Sequence, residues 1–269
     1  MIPNNPTIGI IGGKGRMGKW FHNLFEKHSI KVIVSDIDTP ISSREVAEQS
    51  DFIIFSLPMD VFPQVVQEIA PHVPPHKAIT DLCSLKEKQV ACMIENSTCQ
   101  VIGTHPLFGP AEDDIKGRRV AMCPGRGQEW LNWWRNLLKT HGAIVTDVTP
   151  SEHDRIMAWV QALNHFILLS LGKALEDEGM DLHHVVALST PSFEKQMEIV
   201  GRLCKQDPEL YAKIQMANPY TDNALSSFMK HGYALMDIVH TKDKEEFVTL
   251  FKEVQHFGKV LLQTKKDEE

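Results

Sequence analysis

Gly13-Lys14-Gly15-Arg16-Met17-Gly18 follows a short apolar run, Thr7–Ile11, and opens a stretch with helical spacing that continues to about Lys27. Alone, a G-x-G-x-x-G string is a weak signal. Between a strand and a helix it points to a βαβ unit whose backbone can approach a diphosphate. In such a turn Gly13 is expected to permit the tight bend. Gly15 lets the backbone reach the pyrophosphate, and Gly18 lets the helix lie close on the strand. Arg16 and Met17 fall in the first helical turn, where free N–H groups and a partial positive charge suit phosphates. Asp36 closes the second predicted strand, 18 positions after Gly18. A carboxylate there accepts hydrogen bonds from ribose hydroxyls and repels a 2′-phosphate, which favours NAD over NADP. Asp38 and Arg44 are close enough in sequence to soften that preference. Ser56-Leu57-Pro58 ends the third strand and is expected to continue the cofactor groove, because such sheets bind ligands at the C-terminal strand ends.

The rhythm of the chain extends this unit. Strands are predicted at Thr7–Ile11, Lys31–Ser35, Asp51–Leu57, Ala78–Asp81, Cys99–Gly103, Arg119–Cys123 and Ala143–Asp147. Helical spacing lies near 43–49, 61–69, 85–95 and 128–141. Strand–helix alternation implies parallel pairing with helices on both faces. The strands lack strict alternation, as expected when both faces are covered. After Val148 the pattern changes. Thr149 can cap a helix, Pro150 suits its first position, and Glu152 would complete a capping box. Ile156, Val160, Leu163, Ile167 and Leu171 then recur at helical spacing. Further helices are expected at about 180–187, 191–205, 207–216, 219–240 and 243–264. The predicted fold class is α/β. A Rossmann-type, doubly wound, mostly parallel sheet that binds NAD (residues 1–148) precedes an all-helical domain (residues 149–269). Trp159, Phe166, Leu168 and Leu169 make the first helix of that domain apolar on more than one face, which suggests burial on two sides. A homodimer packed through this domain follows, with a central helix inside a monomer as the alternative.

Composition narrows the function. The net charge is -7 with histidine neutral, and no basic patch marks a nucleic-acid binder. Cys83, Cys92, Cys99, Cys123 and Cys204 are odd in number and lack C-x-x-C spacing, which fits reduced thiols in a cytoplasmic protein. The N-terminus lacks the charged and long apolar regions of a signal peptide. No apolar run approaches the ~20 residues of a membrane span. Pro74 and Pro75 separate His72 from His76, so no helix presents both, and no metal site is expected.

Two more segments fall at predicted strand ends, Asp81-Leu82-Cys83-Ser84-Leu85-Lys86 and Gly103-Thr104-His105-Pro106-Leu107-Phe108-Gly109-Pro110. A histidine on that rim can exchange a proton with a substrate while a nicotinamide takes hydride. With GGKGRMG, DLCSLK, GTHPLFGP, SEHDRIMAWVQALNHF and VGRLCKQDPELYAKI, the chain resembles the prephenate dehydrogenase family from residue 12 to about 215. It is most similar to the dehydrogenase portions of bacterial enzymes that also carry a chorismate mutase domain. The first strand begins at Thr7, so that mutase domain is expected to be absent.

The resemblance implies oxidative decarboxylation of prephenate to 4-hydroxyphenylpyruvate with NAD, a step of tyrosine biosynthesis. It makes His105 the catalytic histidine and Ser84 the serine that orients it. Lys86 would offer positive charge to a substrate carboxylate, and Arg202 would bind one through two parallel hydrogen bonds. His165 and His153 would lie on the substrate side. Plainer readings stand beside these: Ser84 as a helix cap, Lys86 as a solvated lysine, His165 as a core histidine, His153 as part of a helix start. One departure stands out. Glu194 occupies the region where these relatives place a second arginine, which keeps arogenate and 4-amino-4-deoxyprephenate open as substrates. A non-catalytic NAD-dependent sensor is the reading from another class.

Overall fold

The apolar runs of the first half become seven strands in a computed structural model that describes residues 2–267. They are β1 (Ile8–Ile11), β2 (Val32–Ser35), β3 (Phe52–Phe55), β4 (Ala78–Asp81), β5 (Gln100–Pro106), β6 (Arg119–Arg126) and β7 (Ile144–Asp147). They form one sheet in the order β2-β1-β3-β4-β5-β6-β7. The first five strands are parallel. Between β5 and β6 the chain has no crossover helix, so β6 returns antiparallel, and β7 follows β6 in parallel. Sheet order reverses beside β1, where helices can part and leave a crevice.

Alternate strand residues bury on opposite faces. Phe52 and Ile54 pack with α1 (Arg16–Lys27) and α5 (Glu129–Thr140), through Phe21, Phe25, Trp130 and Trp134. Ile53 and Phe55 pack with α2 (Ser43–Gln49), α3 (Phe62–Ile69) and α4 (Glu87–Glu95), through Val46, Phe62, Val66 and Met93. Every strand position from Phe52 to Phe55 is fully buried, which explains why the run shows no polar alternation.

Beyond β7 the chain is helical: α6 (Pro150–Met157), α7 (Asn164–Asp177), α8 (Leu182–Ala187), α9 (Pro191–Leu203), α10 (Pro208–Ala217), α11 (Thr221–Thr241) and α12 (Lys244–Asp267). The Thr149 hydroxyl accepts from Glu152 N, as a cap should. The helix expected to run unbroken through Leu171 is interrupted. Ala158–Leu163 winds as a π-helix between α6 and α7, a device that re-aims side chains and recurs at functional sites. The described chain divides into two compact units. One runs to Thr221 and holds the sheet with α6 to α10; the other begins at Asp222 and holds α11 and α12. Among the described residues no helix is long and apolar enough to cross a membrane.

Candidate active site

The glycine loop rises from β1 into α1. Its tight bend falls on Gly12, with φ +83°, and not on Gly13 as expected from the motif. A side chain at Gly12 would also meet Leu57 at 2.9 Å. Gly13 is needed for another reason: a Cβ there would overlap Val34 of β2. At Gly18 a Cβ would lie 2.7 Å from Gly13 Cα, so this glycine does allow the close helix–loop approach. A Cβ at Gly15 would meet only the carbonyl oxygens of Gly12 at 3.2 Å and Ser56 at 3.9 Å, so the loop is open on its other side. Gly15 is the N-cap of α1 and supplies no side-chain cap. The first helical N–H groups are therefore available to an anion.

Asp36 follows β2 directly. Its carboxylate accepts from Lys14 N and from Ile37 N, each at 2.8 Å, which ties it to the glycine loop. Arg44, the residue that could have favoured a 2′-phosphate, is held by Glu48 at 3.2 Å. Ser56, at the end of β3, donates its N–H to Ile11 O and turns its own carbonyl toward the glycine loop, with Leu57 and Pro58 following. An open backbone cradle, an uncapped helix start and a fixed carboxylate together fit a dinucleotide.

Beside the loop lies a cavity of about 330 Å³, with Arg16, Met17, Ser84, His105, Gln161 and His165 among its walls. β5 supplies His105, the β4–α4 loop Ser84, the first turn of α1 Arg16 and Met17, and the helical region Gln161 and His165. A second cavity shares Gly109, His165, Gln206 and Tyr211 with the first and contains Arg202. Arg202 makes no ion pair among the described residues, so its guanidinium is available there. Glu194 and Lys195 are exposed on α9 and line neither cavity. On one side the β5–β6 loop packs Phe108 edge-on against Trp20 of α1, ring centroids 4.8 Å apart.

His105 sits near the C-terminal end of β5 and is 3% exposed. Its Nε2 faces Gln161 Nε2 at 3.4 Å, and its Nδ1 faces His153 Nε2 at 2.9 Å. His153 Nδ1 lies 2.7 Å from Asp154 Oδ1. The Asp154 carboxylate also accepts the backbone N–H groups of Lys86 (2.8 Å) and Glu87 (2.9 Å), capping α4 from another element. Burial pushes His105 well below the usual imidazole range, helped by the charges of His153 and Lys86. Burial also lowers His153, against the opposing pull of Asp154, and takes His165 down to about 4.

Three expectations change. Lys86 is fully buried, ion-paired with Asp81 and donating to Thr104 O at 3.0 Å, so it does not present charge to a substrate. His153 lies behind His105 and is sealed from the cleft. Ser84 lines the cleft, but among the described residues its hydroxyl makes no hydrogen bond to His105, whose ring is held by His153. Sequence reading missed Gln161, Asp154 and Tyr211. Gln161 precedes His165 by four positions, which puts both on one helix face, and that spacing was the available signal. Tyr211 packs its ring against His165 at a tilt of 42°, with centroids 4.3 Å apart.

The sheet order, the glycine loop and the cleft define a Rossmann-type nucleotide-binding protein with a helical second half. Residues 26–147 match the family model described as "Prephenate dehydrogenase, nucleotide-binding domain" and residues 149–253 the one described as "Prephenate dehydrogenase, dimerization domain". The chain belongs to the prephenate dehydrogenase family. It is 35% identical to the "Probable arogenate/prephenate dehydrogenase" of Methanocaldococcus jannaschii, a match covering 96% of this chain and 62% of that protein's length. It is 29% identical to the T-protein of Enterobacter agglomerans, over 96% of this chain and 69% of the relative. The fold is that of the Aquifex aeolicus prephenate dehydrogenase solved with hydroxyphenyl propionate and NAD+: TM-score 0.74, 21% identity, covering 93% of this chain and 96% of that one.

Proposed function

We propose that the chain is an NAD-dependent prephenate dehydrogenase that converts prephenate to 4-hydroxyphenylpyruvate and CO2. The observation that carries this reading is the cleft itself. One cavity is lined by His105 and by Arg16 and Met17 at the start of α1, and the cavity beside it holds Arg202, which has no ion pair among the described residues. Bound NAD+ supplies the hydride acceptor. Arg202 grips a substrate carboxylate through paired N–H donors. His105 Nε2 accepts the proton of the C4 hydroxyl as hydride leaves that carbon, a role typically worth ~10²–10⁴ in rate. Its lowered pKa keeps the ring neutral and ready to accept at neutral pH. Loss of the ring carboxylate as CO2 then makes the ring aromatic, its electron pair passing to the C4 oxygen, which takes the proton back from His105 as the phenol forms. Asp36 favours NAD over NADP through its place beside the loop. His165 and Ser84 shape the cleft around the substrate.

Residues 149–269 serve substrate binding and homodimer formation. Trp159, Val160 and much of α11 and α12 leave large apolar side chains exposed, which suits a second copy of the chain. Arogenate is the second reading. Asp207 lines the cleft, where a carboxylate complements the ammonium that distinguishes arogenate from prephenate.

The test is NADH formation with prephenate, arogenate and 4-amino-4-deoxyprephenate. Prephenate is expected to give the highest kcat/KM. Faster turnover of arogenate would transfer the assignment to it, and no NADH from any of the three would favour a sensor. His105→Asn is expected to abolish turnover while leaving NAD binding nearly unchanged; near-normal turnover would remove His105 as the proton acceptor.

A further inference from the structure

We propose that His153 and Asp154 are positioning residues that fix His105 as its Nδ1–H tautomer, leaving Nε2 bare toward the cleft. This rests on the reading of His105 as the proton acceptor. Each proton along this buried chain has one place to sit. Both oxygens of Asp154 are occupied by donors: Oδ1 takes Lys86 N–H and Oδ2 takes Glu87 N–H, at the positive end of α4. A carboxylate held this way is ionised and only accepts. His153 Nδ1, 2.7 Å from Oδ1, must therefore carry hydrogen. A neutral imidazole has one N–H, so His153 Nε2 is a lone pair. It faces His105 Nδ1 at 2.9 Å, and that nitrogen must in turn donate. His105 Nε2 is left as the acceptor, facing the amide nitrogen of Gln161.

The relay fails when His153 is charged. A proton added to His153 turns its Nε2 into a donor. His105 Nδ1 must then accept, its hydrogen moves to Nε2, and the cleft faces N–H in place of a lone pair. The charged groups around the two rings act on that proton in opposite senses. Lys86, at the start of α4, disfavours it, and its partner Asp81 of β4 favours it. Asp154 of α6 favours it most directly, and Cys123 of β6 stays a neutral thiol, pushed up to about 12 by burial. Burial outweighs the favourable terms and holds His153 below the usual imidazole range. When His105 gains the substrate proton, its Nδ1–H still points to His153, so the new charge is shared toward the Asp154 carboxylate.

The experiment reads the ring nitrogens directly. Protein labelled with 15N-histidine is examined at neutral pH, with His105 and His153 assigned through the resonances lost in His105→Asn and His153→Gln. Expected for both rings is a protonated Nδ1 and a bare Nε2; an Nε2–H tautomer at His105 overturns the proposal. Turnover of His153→Gln supplies the second readout. Its kcat is expected to fall about 10²-fold, with KM for substrate and NAD within about twofold and the acid limb of the kcat profile displaced. A drop of equal size at every pH with an unmoved limb would mean that His153 only supports the fold, and would overturn the positioning role. Absence of turnover in the wild type with all three candidate acids would remove the dehydrogenase reading alone, because the nitrogen resonances still decide the tautomer.

Discussion

Both halves of the chain are rich in large apolar side chains, yet the first buries most of them and the second only a few, among them Met157, Leu163, Leu168, Ile214 and Ile238. Trp130, Trp134, Phe21 and Phe52 are sealed between the sheet and its helices. Among the described residues, all but four of the exposed large apolar side chains lie after residue 150. On α12, Phe247, Phe251, Val254 and Leu261 recur at helical spacing and are 42%, 60%, 61% and 57% exposed. α11 and α12 make little contact with each other, so neither covers that face. Monomers rarely leave apolar patches beyond a few hundred Å² open to water. The first half of the sequence encodes a closed core, whereas the second leaves an apolar helical surface open, in the region that matches the dimerization-domain model.

The comparison breaks if the α12 face needs no partner. Phe251→Glu combined with Val254→Glu puts unpaired charge on that face, and a two-fold interface repeats each change. Association is expected to weaken at least 10⁴-fold, ~5.5 kcal/mol or more, read as a fall in solution mass by light scattering on dilution. A wild type that is monomeric at every concentration would refute the contrast. The converse test is Trp134→Ala. This indole is fully buried and donates to the Thr104 hydroxyl at 2.9 Å. Its loss is expected to cost ~3–5 kcal/mol in denaturant unfolding with no change in solution mass. A cost under ~1 kcal/mol would mean that the sheet core is not closed as described. Gly18→Ala sharpens the point locally. The added carbon would sit 2.7 Å from Gly13 Cα, which is expected to cost ~1–3 kcal/mol and to reduce the thermal shift produced by NAD.

The first half was legible because its signals are local. Strand runs, turn glycines and helical spacing each report on a few neighbouring residues, and the predicted strands match β1 to β7 to within three residues at each end. The glycine motif still misassigned one role. The positive φ belongs to Gly12, since the bend forms where β1 meets the loop and must clear Leu57. What the sequence hid was long-range. Lys86 looked like a solvated or substrate-facing lysine because nothing nearby shows that β5 would lie over it and Asp81 would pair with it. Asp154 caps a helix that begins 67 residues earlier, a partnership no local pattern can reveal. The π-helical segment was equally hidden, because Ile156, Val160 and Leu163 keep ordinary helical spacing through it.

The smallest expected effect concerns His165, at the start of α7. Its Nδ1 is buried without a hydrogen-bond partner among the described residues, and burial takes its pKa from 6.5 to about 4. The unfolded chain therefore takes up a proton near pH 6.5 that the folded chain refuses until about pH 4. Stability from this group is complete above the higher value and is lost as pH falls toward the lower one. The ring is partly open to the cleft, so solvent screening limits the loss between neutral pH and pH 5 to ~1 kcal/mol. His165→Gln is expected to flatten the fall in denaturant midpoint over that interval by the same amount. His105 and His153 are shifted in the same direction, so some acid sensitivity persists in the variant. An unchanged slope would show that His165 is hydrated or partnered in solution. The cleft wall would then resemble the open helical surface more than the closed sheet core.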